Sequence, residues 1–270
     1  MKRIVFLLGV LAILAASAPP AHAAVFTLTD LNSVFQIDSA FGADLWTVDG
    51  VSQLYEQGFW FRIGDDSAEQ RLGNFYSNGW VDPGGRTATL QFVHNSFTAD
   101  IVYTLTGGTI GSRTSDVAET IRIINTGGGS LPMRFFQYCD FDLNGTPGDD
   151  KLWFPNANTV RQVDLGSGAM VSETVVTPVA TRYEGDIFAN TRSRLEDDLP
   201  TTLSNLPAPG GFLTGDVTWA FQWDRTLPRN GTFIISKDKH LDVVPEPGTL
   251  LLLGLGLVGA EVTRRRRKKA

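Results

Sequence analysis

The chain has 270 residues, 42% of them hydrophobic and 19% charged, with 28 glycines, 13 prolines and one cysteine. Of its 23 Lys and Arg and 29 Asp and Glu, eight cations (Lys2, Arg3 and the run from Arg264 to Lys269) and two acids (Glu246 and Glu261) sit at the ends, so the stretch between carries about −12. A surface of that sign repels phosphate backbones, which excludes nucleic acid as a partner, and a single cysteine excludes an internal disulfide.

In chain order, Lys2 and Arg3 precede an unbroken apolar run, 4–16, and then Ser17-Ala18-Pro19-Pro20-Ala21-His22-Ala23. The run is shorter than the roughly 20 residues of a membrane span, and it ends in a small-x-small site. These features predict a secretory signal peptide over residues 1–23, with Ala21 and Ala23 in the small positions and cleavage after Ala23. The body, 24–243, is long enough for one large core and is read as one domain.

Period-two alternation dominates the body. Ala88, Leu90 and Phe92 share a face over 87–93, and Ala99, Ile101, Tyr103 and Leu105 do so over 98–106. Ile121 and Ile123 alternate over 120–125, and Trp219, Phe221 and Trp223 over 218–223. Such segments are half-buried antiparallel strands. Breakers separate them: Asp82-Pro83-Gly84-Gly85, Gly107-Gly108, Gly127-Gly128-Gly129, Pro209-Gly210-Gly211 and Asn230-Gly231. The last predicts a hairpin into 232–236. Only 186–199 has helical character. The prediction is an all-β, two-layer antiparallel β-sandwich, its topology open between a jelly roll and a larger sandwich. Trp219, Phe221 and Trp223 read as core. In Phe59-Trp60-Phe61, neighbours point to opposite faces, so Trp60 is expected to be an exposed, sugar-stacking ring if its face meets water; Trp80, beside a turn, is a second candidate.

Asp140-Phe141-Asp142-Leu143-Asn144-Gly145 places hard oxygens at alternate positions before a glycine, as in the first half of a D-x-[DN]-x-[DN]-G calcium loop. The position where that loop needs Glu is Lys151, so Asp149 or Asp150 would have to supply the missing carboxylate. The expectation is a calcium site of Asp140, Asp142 and Asn144 with Asp149 or Asp150; the alternative is a strand ending in a solvated turn. No other cofactor is indicated. Cys139 reads as a small buried residue, since Asp140 beside it disfavours a thiolate. There is no G-x-S-x-G, H-E-x-x-H or P-loop, and with His22 removed only His94 and His240 remain. No catalytic residue is assigned, and a non-enzyme is expected. A carboxylate pair suited to glycoside chemistry has no spacing signature in sequence.

The tail begins Val244-Pro245-Glu246-Pro247-Gly248-Thr249, continues through apolar 250–260 and ends in six cations. As a helix, 248–263 would span roughly 24 Å against a hydrocarbon core of about 30 Å, a marginal span that snorkelling arginines extend. The cations hold that end on the cytoplasmic side, and Pro245 and Pro247 keep the segment before it extended. This order of parts resembles the PEP-CTERM sorting signal of Gram-negative bacteria over about the last 27 residues, 244–270; Glu261, inside the apolar stretch, departs from the pattern and shortens the helix. The resemblance implies recognition of Pro245, Glu246 and Pro247 by an exosortase and a transient anchor in a C-terminal transmembrane helix. It further implies release to the cell surface or extracellular matrix, alongside exopolysaccharide. The expected function is that of an exported protein with a structural or adhesive role. The alternatives are a carbohydrate-active enzyme or glycan-binding module on the same sandwich, and a domain that stays tethered to the membrane.

Overall fold

The structure, a computed structural model, describes residues 23–243. The predicted signal peptide up to His22, the Pro-Glu-Pro motif and the predicted transmembrane helix lie outside the described residues. Among the described residues, no helix is long and apolar enough to cross a membrane.

The strands are β1 (Val25–Asp30), β2 (Ser33–Asp38), β3 (Gly42–Val48), β4 (Val51–Ser52), β5 (Glu56–Ile63), β6 (Gln70–Arg71), β7 (Tyr76–Val81), β8 (Thr87–His94) and β9 (Phe97–Gly107). They continue with β10 (Thr114–Asn125), β11 (Leu131–Asp140), β12 (Asp150–Asn156), β13 (Thr159–Asp164), β14 (Met170–Thr177) and β15 (Arg182–Ile187). After one short helix, α1 (Asn190–Leu195), come β16 (Phe212–Gly215), β17 (Val217–Leu227) and β18 (Thr232–Asp242). They form two antiparallel sheets. The first runs β1-β2-β3-β5-β11-β17-β15, with β4 on β3 and β6 on β5. The second runs β16-β12-β13-β14-β18-β10-β9-β8-β7.

The inward faces meet in one core, and the alternation explains it. Ala88, Leu90 and Phe92 of β8 and Phe97, Ala99, Ile101, Tyr103 and Leu105 of β9 are all buried, while residues between them are more exposed. Trp219, Phe221 and Trp223 enter the same core. In β17, however, residues on both faces are buried. The reason is the segment 188–207, containing α1, which lies against the outer face of the first sheet. There Leu195 and Leu203 close a smaller core with Trp60, Phe136, Tyr138 and Ala220. The face that carries Trp60 therefore does not meet water, and the residue is 1% exposed, whereas Trp80 is 54% exposed.

The chain changes sheets repeatedly, which corrects the hairpin expected at Asn230-Gly231. The turn is tight, the Gly231 N–H donating to Pro228 O at 2.8 Å. But β17 pairs with β11 and β15, while β18 pairs with β10 and β14, so the turn joins the two layers and not neighbours in one sheet.

Candidate functional site

Two of these crossings lie together. Asp140 ends β11 and Asp150 opens β12, so residues 141–149 carry the chain from the first sheet to the second. Gly215 ends β16 and Val217 opens β17, so Asp216 alone carries it back. Register sets the crossings side by side: Asp140 stands opposite Thr218, and Asp150 opposite Gly215. Asp216 thereby meets Asp140 and Asp142, with one carboxylate oxygen from each lying within 4.8 Å of the others.

Backbone bonds bring two rings to the same place. The Tyr55 N–H donates to Asp140 O at 3.0 Å, and the Phe188 N–H to Asp216 O at 2.8 Å. Their rings meet edge to face, 6.0 Å between centroids, and are 51% and 39% exposed. With Pro147 and the three aspartates they line an open cleft of about 190 Å³.

Among the described residues, no donor reaches the side chain of Asp140, Asp142 or Asp216, and Asp140 Oδ1 is buried without a partner. Burial first, then Asp142, Asp216 and Glu56, push the Asp140 carboxyl up to about 8 against the pull of Arg192. Burial and Asp216 also raise Asp142, and burial raises Asp216. The arrangement is a concave acidic site with an aromatic rim, and the cation that acts on it, Arg192, is also paired with Glu56.

The other residues of the predicted calcium loop go elsewhere. Asp149 and Asp150 converge with Asp164, again within 4.8 Å. That group is better provided with donors: Thr146 Oγ1 donates to Asp164 at 2.9 Å, the Ser167 N–H also donates to Asp164, and Gln162 Nε2 donates to Asp150 at 2.6 Å. Asp150 Oδ1 still lacks a partner. Burial raises Asp150 to about 8 despite Gln162, with Asp164, Asp149 and Asp142 adding to it. For Asp164, hydrogen bonds from Ser167, Thr146 and Asp149 outweigh burial and lower it. Asn144 takes a left-handed φ of 58°, donates its N–H to Gln53 Oε1 at 2.9 Å, and lines a separate cavity of about 400 Å³ with Asp49, Arg113 and Val243. The loop thus splits its oxygens among three places.

Cys139 is fully buried, and burial followed by Glu173 pushes its thiol up. His94 packs among Phe61, Phe75 and Phe97, and burial lowers its pKa. His240 Nδ1 lies 2.8 Å from Asp116 on the surface. A second aromatic surface, Trp153 and Phe212 with Lys151 stacked 4.3 Å over the Phe212 ring, bounds a groove of about 370 Å³ at the edge of the second sheet.

Sequence reasoning missed Asp216, Tyr55 and Phe188. Gly215-Asp216 carries only a weak turn signal, and nothing along the chain ties it to Asp140. Proximity there is a product of strand register.

In fold, the body resembles three crystal structures at identities that carry the fold alone. A protein named as an aldose 1-epimerase from Escherichia coli K12 matches with a TM-score of 0.54 and 10% identity over 83% of this chain and all of its own. A bacterial glucoamylase complexed with acarbose matches at 0.56 and 9% over 89% of this chain, which spans only 36% of the glucoamylase. A protein from Synechocystis sp. PCC 6803 matches at 0.53 and 11%, over 86% of this chain and 100% of that one. No curated protein matches the chain. Residues 243–268, by contrast, match the family model of the PEP-CTERM protein-sorting motif, so the chain carries that motif in its tail.

Proposed function

We propose that the chain is an exported surface protein, handed to an exosortase through Pro245, Glu246 and Pro247, whose body binds saccharide in the cleft between Tyr55 and Phe188. Residues 1–23 would leave on export, 24–243 form the delivered body, and 244–270 serve sorting through a short membrane helix. The carrying observation is the pair of partly exposed rings beside carboxylates that no protein donor satisfies. Ring surface accepts the C–H side of a sugar, and free carboxylate oxygens accept its hydroxyls. The fold shared with structures named for an aldose epimerase and a glucoamylase supports the same ligand class. Exopolysaccharide is the saccharide that a protein sorted to the surface meets. The groove at Trp153 and Phe212 is the weaker location, because its only charged lining group is Lys151.

Catalysis on such a ligand is the second reading, and the grouped carboxyl groups favour it. Glycoside hydrolysis needs two carboxyl groups flanking the scissile bond in separate acid and base or nucleophile roles; here three stand together, one oxygen of each within 4.8 Å of the others, so binding is the reading put first.

A glycan array probed with the full chain tests the reading. Tyr55→Ala and Phe188→Ala should each weaken the selected glycan about tenfold, the equivalent of about 1.4 kcal/mol, while Trp153→Ala leaves it unchanged. The opposite pattern moves the site to the groove. An array with no signal above background removes the saccharide reading. Release of new reducing ends would make the protein an enzyme.

A further inference from the structure

We infer that Asp140, Asp142 and Asp216 hold a calcium ion at the acidic side of the cleft. The inference deepens the reading of the cleft as the ligand site but does not require the ligand to be a saccharide.

Three acids brought together by folding must be balanced by hydrogen bonds, by cations or by protons. Hydrogen bonds are missing: no described donor reaches any of the three, and Asp140, 2% exposed, keeps Oδ1 unpartnered while lining the cleft. The nearby cation, Arg192, is already engaged, with Glu56 at 2.8 Å and Glu196 at 3.6 Å. The neighbouring group at Asp164 is better supplied by the protein, with donors from Thr146, Ser167 and Gln162. Asp150 Oδ1 lacks a partner there too, so the difference is one of degree: that group receives several donors and the trio at the cleft receives none among the described residues.

The donor set selects the ion, and the geometry admits it. Two oxygens on one calcium, each at roughly 2.4 Å, stand at most about 4.8 Å apart, and the oxygens of this trio fall within 4.8 Å. Magnesium, at about 2.0–2.1 Å, requires a tighter octahedron and sheds water reluctantly. Without His or Cys in the group, the donors are all hard oxygens, which disfavours zinc and copper. Three carboxylates offer up to six oxygens against the six to eight that calcium takes, and the open side of the cleft leaves the remainder to water or ligand hydroxyls.

Calcium titration of the full chain in detergent, by calorimetry and by melting temperature against an EDTA control, is the test. Saturable binding is expected with a Kd between roughly 10 µM and 1 mM, the range of weaker sensors and extracellular modules, and a melting temperature that rises on saturation. Asp216→Asn and, separately, Asp142→Asn should weaken binding at least tenfold. In EDTA, each variant should melt at or above the wild-type temperature, since it removes a repelling charge. Asp149→Asn should leave affinity unchanged. No saturable binding up to 10 mM calcium overturns the inference, as does binding lost in Asp149→Asn and retained in Asp216→Asn. Calcium binding with no glycan on the array defeats the saccharide reading alone; glycan binding undiminished by EDTA with no calcium binding defeats this inference alone.

Discussion

Lys237 and Lys239 occupy inward positions of β18, in line with Phe233, Ile235 and Leu241, and both are buried. What allows this is register. Glu119 of β10 stands opposite Lys237, and Glu173 of β14 stands opposite Lys239, so the central strand carries two cations between flanking acids. Trp219 Nε1 at 2.8 Å and Gln137 Nε2 at 2.7 Å complete the Glu173 carboxylate. Replacing one member strands its partner in the core. Glu173→Gln should cost about 3–5 kcal/mol in urea unfolding, while an apolar replacement of all four that conserves volume should be near neutral. Burial would raise Glu173, but Lys239 and Lys237, with Trp219 and Gln137, outweigh it and bring it down to about 2. Its folded value lies below its unfolded one, so this contribution is present above roughly pH 4.5 and is lost as pH falls toward 2. Lys239 moves the other way: burial lowers it, but Glu119 and Glu173 raise it more. Its contribution therefore holds below its ordinary value and fades only in strong alkali. Unfolding free energy measured against pH should show a plateau between these limits, with an acid limb that Glu173→Gln flattens. The inward alternation of Lys237 and Lys239 was open to view in the sequence. The acids that make it tolerable stand on strands that the sequence does not pair.

At the scale of elements, the segment 188–207 changes the fate of the first sheet. A two-layer sandwich leaves its outer faces to water, the condition under which Trp60 would be exposed. Instead the segment is fastened along its length. Arg192 pairs with Glu56, Glu196 with Arg71 and Arg194 with Glu184, and the backbone N–H groups of Thr201 and Leu203 donate to Glu69 and Gln222. Leu195 and Leu203 then seal Trp60 and Tyr138 beneath it. Leu203→Ala should cost about 2–5 kcal/mol, the range for a fully buried leucine, with protease cutting inside 188–207 ahead of global unfolding. Wild-type stability in that variant would mean that the segment folds independently of the sheet. Helical character near 186–199 was legible from residue types, but the docking surface was not, because the segment's partners are spread over β5, β6, β11, β15 and β17, of which only β15 adjoins it in sequence.

For the whole molecule, the tail and the body obey different rules. The sorting we propose reads a linear order of parts, the Pro-Glu-Pro motif, a short apolar stretch and terminal cations, so its test is linear too. Replacing Pro245, Glu246 and Pro247 together by alanine should leave the six terminal cations on the product, seen by intact mass, where the parent chain loses them. A normally trimmed variant would detach processing from the motif. By itself, the sequence determined the all-β class, the breakers between strands, the acidity of the body and the PEP-CTERM tail, since each is a property of composition or of neighbours along the chain. Only the tertiary structure decided that Asp216 joins Asp140 and Asp142, that Asn144 leaves them, that Tyr55 and Phe188 share a rim, and that Trp60 is covered. Those outcomes follow from strand register and from where the chain crosses between layers, and side-chain periodicity, which repeats every two residues in every strand, does not encode which strands become neighbours.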